Sequence, residues 1–320
     1  MSRPERVLVT GAAGFVGSTL VERLLAEGRT VVGLDNFDPF YPEPLKRENL
    51  AEASRSSRFR LEIGDIRDPA AVARALDGAD AVVHLAALAG VRPSLERPAE
   101  YADVNVRGTA VVAEAMVRAG VQRLVFASSS SVYGERERAS GPFRESDPVE
   151  RPVSPYAATK RAGELLLHSF HHAEGLAVTC ARIFTAYGPR QRPDLAIRKF
   201  AERMRAGQTI PVYGDGSATR DFTYVDDLVD ALVRALDAGL GFAILNFGAG
   251  RTVELLDVIA ELERALGVAA RIEWLPRQTG DVSRTLADAT AAAAALGWEP
   301  KVGLEEGVSR FSAWLAGRPD

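Results

Sequence analysis

A chain of 320 residues, 47% hydrophobic and 26% charged, is long enough for one large or two modest domains and too apolar for disorder. Its net charge of −4 leaves no basic excess for a nucleic-acid backbone, so an anionic ligand must be met by local charges. A single cysteine, Cys180, rules out an internal disulfide and a cysteine-cluster metal site; with no apolar run long enough for a signal peptide or a membrane span, the expectation is a cytoplasmic protein without membrane partners.

The first half alternates. Arg6–Thr10 (RVLVT) is a short apolar run followed by glycines and a helical pattern to Glu27. Further apolar runs follow at Thr30–Leu34, Phe59–Ile63, Ala81–Leu85 and Arg123–Ala127, with helical stretches between. Runs of about five residues without polar alternation predict strands buried on both faces. Repeated strand–helix–strand predicts an α/β Rossmann fold, a doubly wound parallel sheet. Long helices are expected at Pro98–Ala119 and Pro155–Glu174, the second ended by Gly175, with a strand at Ala177–Ile183. Beyond Phe184 the texture becomes turn-rich, in YGPRQRPD, VYGDGSATRD and NFGAGRT. The expected division is a Rossmann domain over 1–183, with 222–248 returning to it. A smaller, discontinuous substrate lobe then takes 184–221 and 249–320.

Between the first strand and helix, VLVTGAAGFVG spaces Gly11, Gly14 and Gly17 as G-x-x-G-x-x-G. Gly11 permits a tight turn, Gly14 lets backbone approach a pyrophosphate, and Gly17 brings the helix close to the sheet. The free N–H groups of the helix start at Phe15 and Val16 face the anion. The second strand ends in Asp35, whose carboxylate can accept both adenosine ribose hydroxyls and would repel a 2′-phosphate. No Arg or Lys follows at 36–40, so NAD is favoured over NADP. Asp65-Ile66 after the third strand can meet the adenine, or Asp65 can merely cap the next turn.

Ser128–Ser131 follow the strand RLVFA, and Tyr156 and Lys160 stand at i, i+4 on one helix face. A nearby ammonium favours phenolate, lowering a tyrosine from about 10 toward neutrality and suiting Tyr156 to acid–base work. A strand-end serine can hydrogen-bond the same substrate oxygen. Chance alone also places Y-x-x-x-K on helices, but here it coincides with the glycine loop and Asp35. His168, His171 and His172 share a helix face without acidic or cysteine partners at ligand spacing, so no metal is expected. His84 and Cys180 read as structural.

These motifs, with HLAA (84–87), ASSSSVYG (127–134), YAATK (156–160), ARIFTAYGP (181–189) and RDFTYVDD (220–227), resemble the extended short-chain dehydrogenase/reductases of the nucleotide-sugar epimerase/dehydratase type. The resemblance implies bound NAD, a nucleotide-sugar substrate and a homodimer built from the two long helices. It places NAD contacts at Gly11, Gly14, Phe15, Val16, Gly17, Asp35, Asn36, Asp65, Ile66, Leu85, Ala86, Ala87, Asn105, Ser128, Tyr156 and Lys160. It makes Ser129, Tyr156 and Lys160 catalytic. The dehydratases of the family carry an Asp-Glu pair where this chain has Ser130 and Ser131, which points to C4 epimerisation. The segments at 34–49, 88–98 and 184–200 most resemble UDP-glucuronate 4-epimerases; UDP-glucose 4-epimerases, UDP-glucuronate decarboxylases and a non-enzymatic NAD-binding regulator are the alternatives. Matching positions assign the substrate to Arg92, Ser129, Ser130, Thr185, Arg192, Tyr213, Arg220 and Asp281. Leu88 and Ile183 depart from the pattern.

Overall fold

The computed structural model describes residues 3–136, 141–276 and 282–318. Six short apolar segments form parallel strands: β1 (Arg6–Thr10), β2 (Thr30–Asp35), β3 (Phe59–Ile63), β4 (Ala81–His84), β5 (Arg123–Ser129) and β6 (Ala177–Ile183). Downstream come β7 (Thr185–Tyr187), β8 (Ile210–Tyr213), β9 (Thr219–Arg220) and β10 (Phe222–Tyr224). The chain then returns in β11 (Phe242–Phe247), paired in parallel with β6 from Phe242 opposite Val178 to Phe247 opposite Ile183. The sheet runs β11-β6-β5-β4-β1-β2-β3. The chain builds outward from β1 to β3 and then steps back to β4, so a crevice opens beyond the carboxyl ends of β1 and β4.

Alternation along each strand sorts the core into two layers. Val7, Val9, Val83, Val125 and Ala181 face the helices Phe15–Ala26 and Val225–Ala238. Leu8, Leu34, Val82, Leu124, Phe126 and Cys180 face Pro69–Leu76, Gly108–Ala119 and Pro155–Glu174. Every residue of β5 is buried, as expected for a central parallel strand. β3 is the exception to two-sided burial: it lies on the sheet edge, and its Ile63 is 58% exposed.

The smaller lobe is assembled from two-stranded pieces. β7 pairs with β10, β8 with β13 (Ile272–Leu275), and β9 with β12 (Val253–Glu254). Its helices Ala196–Arg205, Leu255–Leu266 and Leu304–Ala316 contribute Phe200, Met204, Leu262 and Phe311 to the first core layer, which is therefore continuous across both lobes.

One expected element differs. The helix predicted over Pro98–Ala119 contains a π-turn at Asp103–Arg107, between Pro98–Ala102 and Gly108–Ala119. Asn105 in that turn accepts from the Leu88 N–H at 2.8 Å and donates to the Leu88 carbonyl at 2.9 Å. Thr109 donates back to the Asn105 carbonyl at 2.6 Å. The wider turn thus points Asn105 at the chain leaving β4, a contact that local helix propensity does not encode.

Candidate active site

Two cavities meet beyond the sheet, one of about 510 Å³ over the glycine turn and one of about 500 Å³ in the smaller lobe. Thr185 and Leu195 line both.

At the glycine turn, Gly11 has φ +69°, and its amide donates to the Leu34 carbonyl at 2.8 Å. A side chain at Gly17 would place Cβ 2.1 Å from the Gly11 carbonyl oxygen, so the helix can start this close only with glycine there. The first helical turn then faces the cavity through Phe15, Val16 and Gly17, whose N–H groups precede the intrahelical ladder. Asp35 is buried and accepts from the Ala13 and Phe37 N–H groups at 3.0 and 2.8 Å. Burial raises its pKa, against the pull of those two donors. Asn36 donates to Asp65 at 3.0 Å, tying the ends of β2 and β3 together. Asp65 also accepts from Arg67, which holds it down to about 2. Asp65 caps the turn by accepting from the Arg67 N–H at 2.8 Å, and it also lines the cavity. Ile66, Leu85, Ala86 and Ala87 complete this wall. A dinucleotide fits these residues: a glycine cradle that a Cβ would fill, an anion-ready helix start and a carboxylate at the ribose end. Asn105 is not among the lining residues; its amide is spent on Leu88 and on Thr159 Oγ1 at 3.0 Å.

The carboxyl end of β5 gathers the candidate catalytic residues. Ser128 donates to Glu164 Oε1 at 2.6 Å. Ser129 Oγ accepts from the Ser131 N–H at 3.2 Å and donates to Ser131 Oγ at 3.1 Å, on the cavity wall that Tyr156 also lines. Ser130 lines the same cavity. The helix Pro155–Glu174, capped by Ser154 accepting from the Ala157 N–H at 3.2 Å, brings Tyr156 and Lys160 to this strand end. Lys160 Nζ donates to the Ala127 carbonyl at 2.7 Å and lies 6.0 Å from the Tyr156 ring centroid.

The electrostatics correct one expectation. Tyr156 was expected to be lowered by Lys160, yet burial raises it above its ordinary value, opposed by Ser129 and by Arg192. Lys160 itself is lowered by burial to about 8, and its ammonium is directed at the Ala127 carbonyl. Spacing on a helix face fixes proximity but not desolvation, and here desolvation is the larger effect.

The second cavity holds Arg92, Tyr213 and Arg220, with the Arg92 guanidinium 4.9 Å above the Tyr213 ring. Thr185 stands at the junction and Arg192 in the first cavity, 5.3 Å from the Phe40 ring centroid. Asp281 lies outside the described residues. Asp221 accepts from the N–H groups of Ala249, Gly250 and Ala287 at 2.6, 3.0 and 3.0 Å, anchoring the turn beside β9. His84 sits between Thr10 and Thr109 hydroxyls at 2.7 and 3.1 Å, and burial pushes it down to about 3. His168 and His171 pack on Phe242.

Several functional neighbours carried no assignment in the sequence. Glu164 follows Lys160 by one helical turn, a spacing that could have flagged it; it pairs with buried Arg182 through bonds of 2.9 and 2.9 Å. Phe40, Tyr41 and Lys46 also line the first cavity, from within a segment recognised only as a signature. Asp194 escaped notice because its partner Arg192 is two residues away in a turn-rich loop.

The glycine cradle, the ribose-end carboxylate and the Tyr156–Lys160 helix define a Rossmann-type nucleotide-sugar enzyme. The NAD dependent epimerase/dehydratase family matches residues 7–248, and the chain belongs to it. A UDP-glucuronate 4-epimerase of Thermodesulfobacterium geofontis is 42% identical over 96% of this chain and 95% of its own. A probable UDP-glucuronate 4-epimerase of Rhizobium meliloti is 40% identical over 97% of this chain and 96% of its own. The crystal structure of the UDP-glucuronic acid 4-epimerase from Bacillus cereus, in complex with UDP-glucuronic acid and NAD, superposes with a TM-score of 0.91 at 35% identity, covering 97% of this chain and 99% of that one.

Proposed function

We propose that this protein is an NAD-dependent UDP-sugar 4-epimerase acting on UDP-glucuronate to give UDP-galacturonate. The observation that carries this reading is the sugar end of the first cavity. There Arg192, Ser129, Ser130 and Thr185 line the same cavity as Tyr156, and the segments 127–131, 156–160 and 183–195 contribute no carboxylate to the lining among the described residues. Expelling water from C5–C6 needs an acid–base pair that this wall lacks, whereas inversion at C4 needs only one proton carrier. Bound NAD supplies the hydride acceptor and donor. Tyr156 takes the proton of the C4 hydroxyl and returns it, and Ser129, lining the same cavity, would hydrogen-bond that oxygen. Lys160, on the same helix face as Tyr156 and lining the same cavity, would bind the nicotinamide ribose. The UDP moiety stays in the second cavity, on Arg92, Tyr213 and Arg220, while the sugar turns. A 4-keto uronate is a β-keto acid and loses carbon dioxide when its carboxylate swings perpendicular to the ketone, so Arg192, Ser130 and Thr185 must hold that group.

The test is to add UDP-glucuronate to the purified protein and follow C4 configuration by NMR, with UDP-glucose in parallel. Conversion to UDP-galacturonate supports the reading; turnover of UDP-glucose alone, or a pentose as main product, overturns it. We also infer a cytoplasmic homodimer formed through the helices Gly108–Ala119 and Pro155–Glu174. Its supports are a single buried thiol and Leu165, which is 56% exposed on the second helix. No helix among the described residues is long and apolar enough to cross a membrane.

A further inference from the structure

The Arg192 guanidinium has five N–H donors, and two of them are already committed. Its Nε and Nη2 reach the two oxygens of Asp194, each at 2.9 Å. That leaves Nη1 and the remaining Nη2 hydrogen, which form the end-on edge of the fork. The two residues divide between the cavities: Arg192 lines the first, Asp194 the second, and Leu195 and Thr185 line both. The Arg192 side chain is 20% exposed and lies over Phe40, so its plane is set from two sides. Arg190, two residues before it, has φ +67° and holds Glu22 at 2.7 Å, fixing the loop from outside the site.

We propose that Asp194 is a positioning residue for substrate specificity: it takes the side-on edge of Arg192 and so presents the end-on edge to the carboxylate of a hexuronate. Asp194 need not touch the sugar. Its effect on uronate binding runs through the orientation of Arg192; any effect it has as a lining residue of the second cavity is common to every UDP ligand. Without it, the guanidinium can rotate about its terminal bonds, and a two-point grip becomes an intermittent one-point contact. The 4-keto intermediate is then less well held. Rotation of its carboxylate breaks the C5–C6 bond, carbon dioxide leaves, the electron pair enters the C4 ketone as an enolate, and a solvent proton adds at C5.

This inference rests on the uronate reading above. The measurement is calorimetric binding of UDP-glucuronate, UDP-glucose and UDP to the NAD-loaded enzyme in a Tyr156→Phe background, which prevents turnover. In the Asp194→Ala variant UDP-glucuronate should weaken about tenfold more than UDP and UDP-glucose, which should change together. In the otherwise wild-type enzyme, Asp194→Ala should also raise the share of turnovers that release carbon dioxide. A parent that does not prefer UDP-glucuronate over UDP-glucose defeats the uronate reading itself. A parent that does, with a variant whose preference is unchanged or increased, defeats only the role of Asp194. Equal weakening for all three ligands means that Asp194 merely holds the loop, and likewise overturns the proposal.

Discussion

Glu164 offers the most direct test of how the catalytic strand end is held. It is 1% exposed and accepts four hydrogen bonds: from Ser128 at 2.6 Å, from Arg182 at 2.9 and 2.9 Å, and from Arg161 at 3.0 Å. Arg182 is itself 1% exposed, so Glu164→Ala strands a buried guanidinium and leaves the Ser128 hydroxyl without its acceptor. Breaking a buried pair by removing one partner costs about 3–5 kcal/mol. At roughly 2 °C per kcal/mol for a chain of this size, the midpoint of thermal unfolding should fall by about 8 °C. Glu164→Gln keeps the shape and one acceptor oxygen, and should lose about half as much. Replacing both partners with apolar residues, Glu164→Leu with Arg182→Met, should recover most of the loss, because the desolvation of two charges is then removed as well. Thermal denaturation followed by circular dichroism reads all three variants. A drop of 2 °C or less in Glu164→Ala would refute the reasoning. It would mean that Arg182 finds adequate compensation elsewhere, the nearest candidate being the Glu145 carbonyl at 3.4 Å.

Tyr156→Phe should lower turnover of UDP-glucuronate by about 10²–10⁴-fold while UDP-glucuronate binding by calorimetry stays within a few fold. Arg192→Ala should release carbon dioxide and pentose from UDP-glucuronate or lose affinity for it, and unchanged kinetics would reject the carboxylate-holding role. His84 is neutral when folded because burial lowers it from 6.5 to about 3, so the unfolded chain binds the extra proton below pH 6.5. Its contribution is fully present above pH 6.5 and is lost on acidification toward pH 3, at about 1.4 kcal/mol per pH unit; His84→Gln, measured by urea denaturation at pH 5 and pH 7, should show a smaller difference than the parent. If the proposed dimer forms through these helices, light scattering should give a dimer mass for the parent and a monomer mass for Leu165→Lys; a monomeric parent or an unaltered dimer overturns that interface.

The sheet was legible because parallel strands buried on both faces leave dense apolar runs, and RVLVT and RLVFA are such runs. The glycine spacing was legible because Gly11 and Gly17 answer to backbone constraints that no other residue meets. What escaped was nonlocal. β8 and β13 pair Ile210 with Ile272 across most of the smaller lobe, and β9 and β12 are two residues each, too short to show a period. The π-turn depends on Asn105 reaching Leu88, and the raised pKa of Tyr156 depends on how much of the site closes over it. Neither contact energy nor desolvation is written in the spacing of a motif.

The division into two cavities explains how one proton carrier can serve both faces of C4. The sugar must turn while the rest of the substrate stays, so affinity has to reside away from the reacting carbon. On the proposed reading the second cavity would provide this, with a stacked arginine and tyrosine, Arg92 on Tyr213, beside Arg220. The first cavity must then be selective without being tight. Hydroxyls at Ser129, Ser130 and Thr185 can accept or donate to either orientation of the ring, whereas a carboxylate at 130 or 131 would favour one protonation event and one outcome. Only the uronate needs a fixed partner, and on the proposed reading that partner is Arg192 in the lining of the first cavity. Placing a carboxylate back, as in Ser130→Asp with Ser131→Glu, should therefore slow epimerisation rather than broaden it. Equal or faster inversion in that variant would show that the bare wall is incidental.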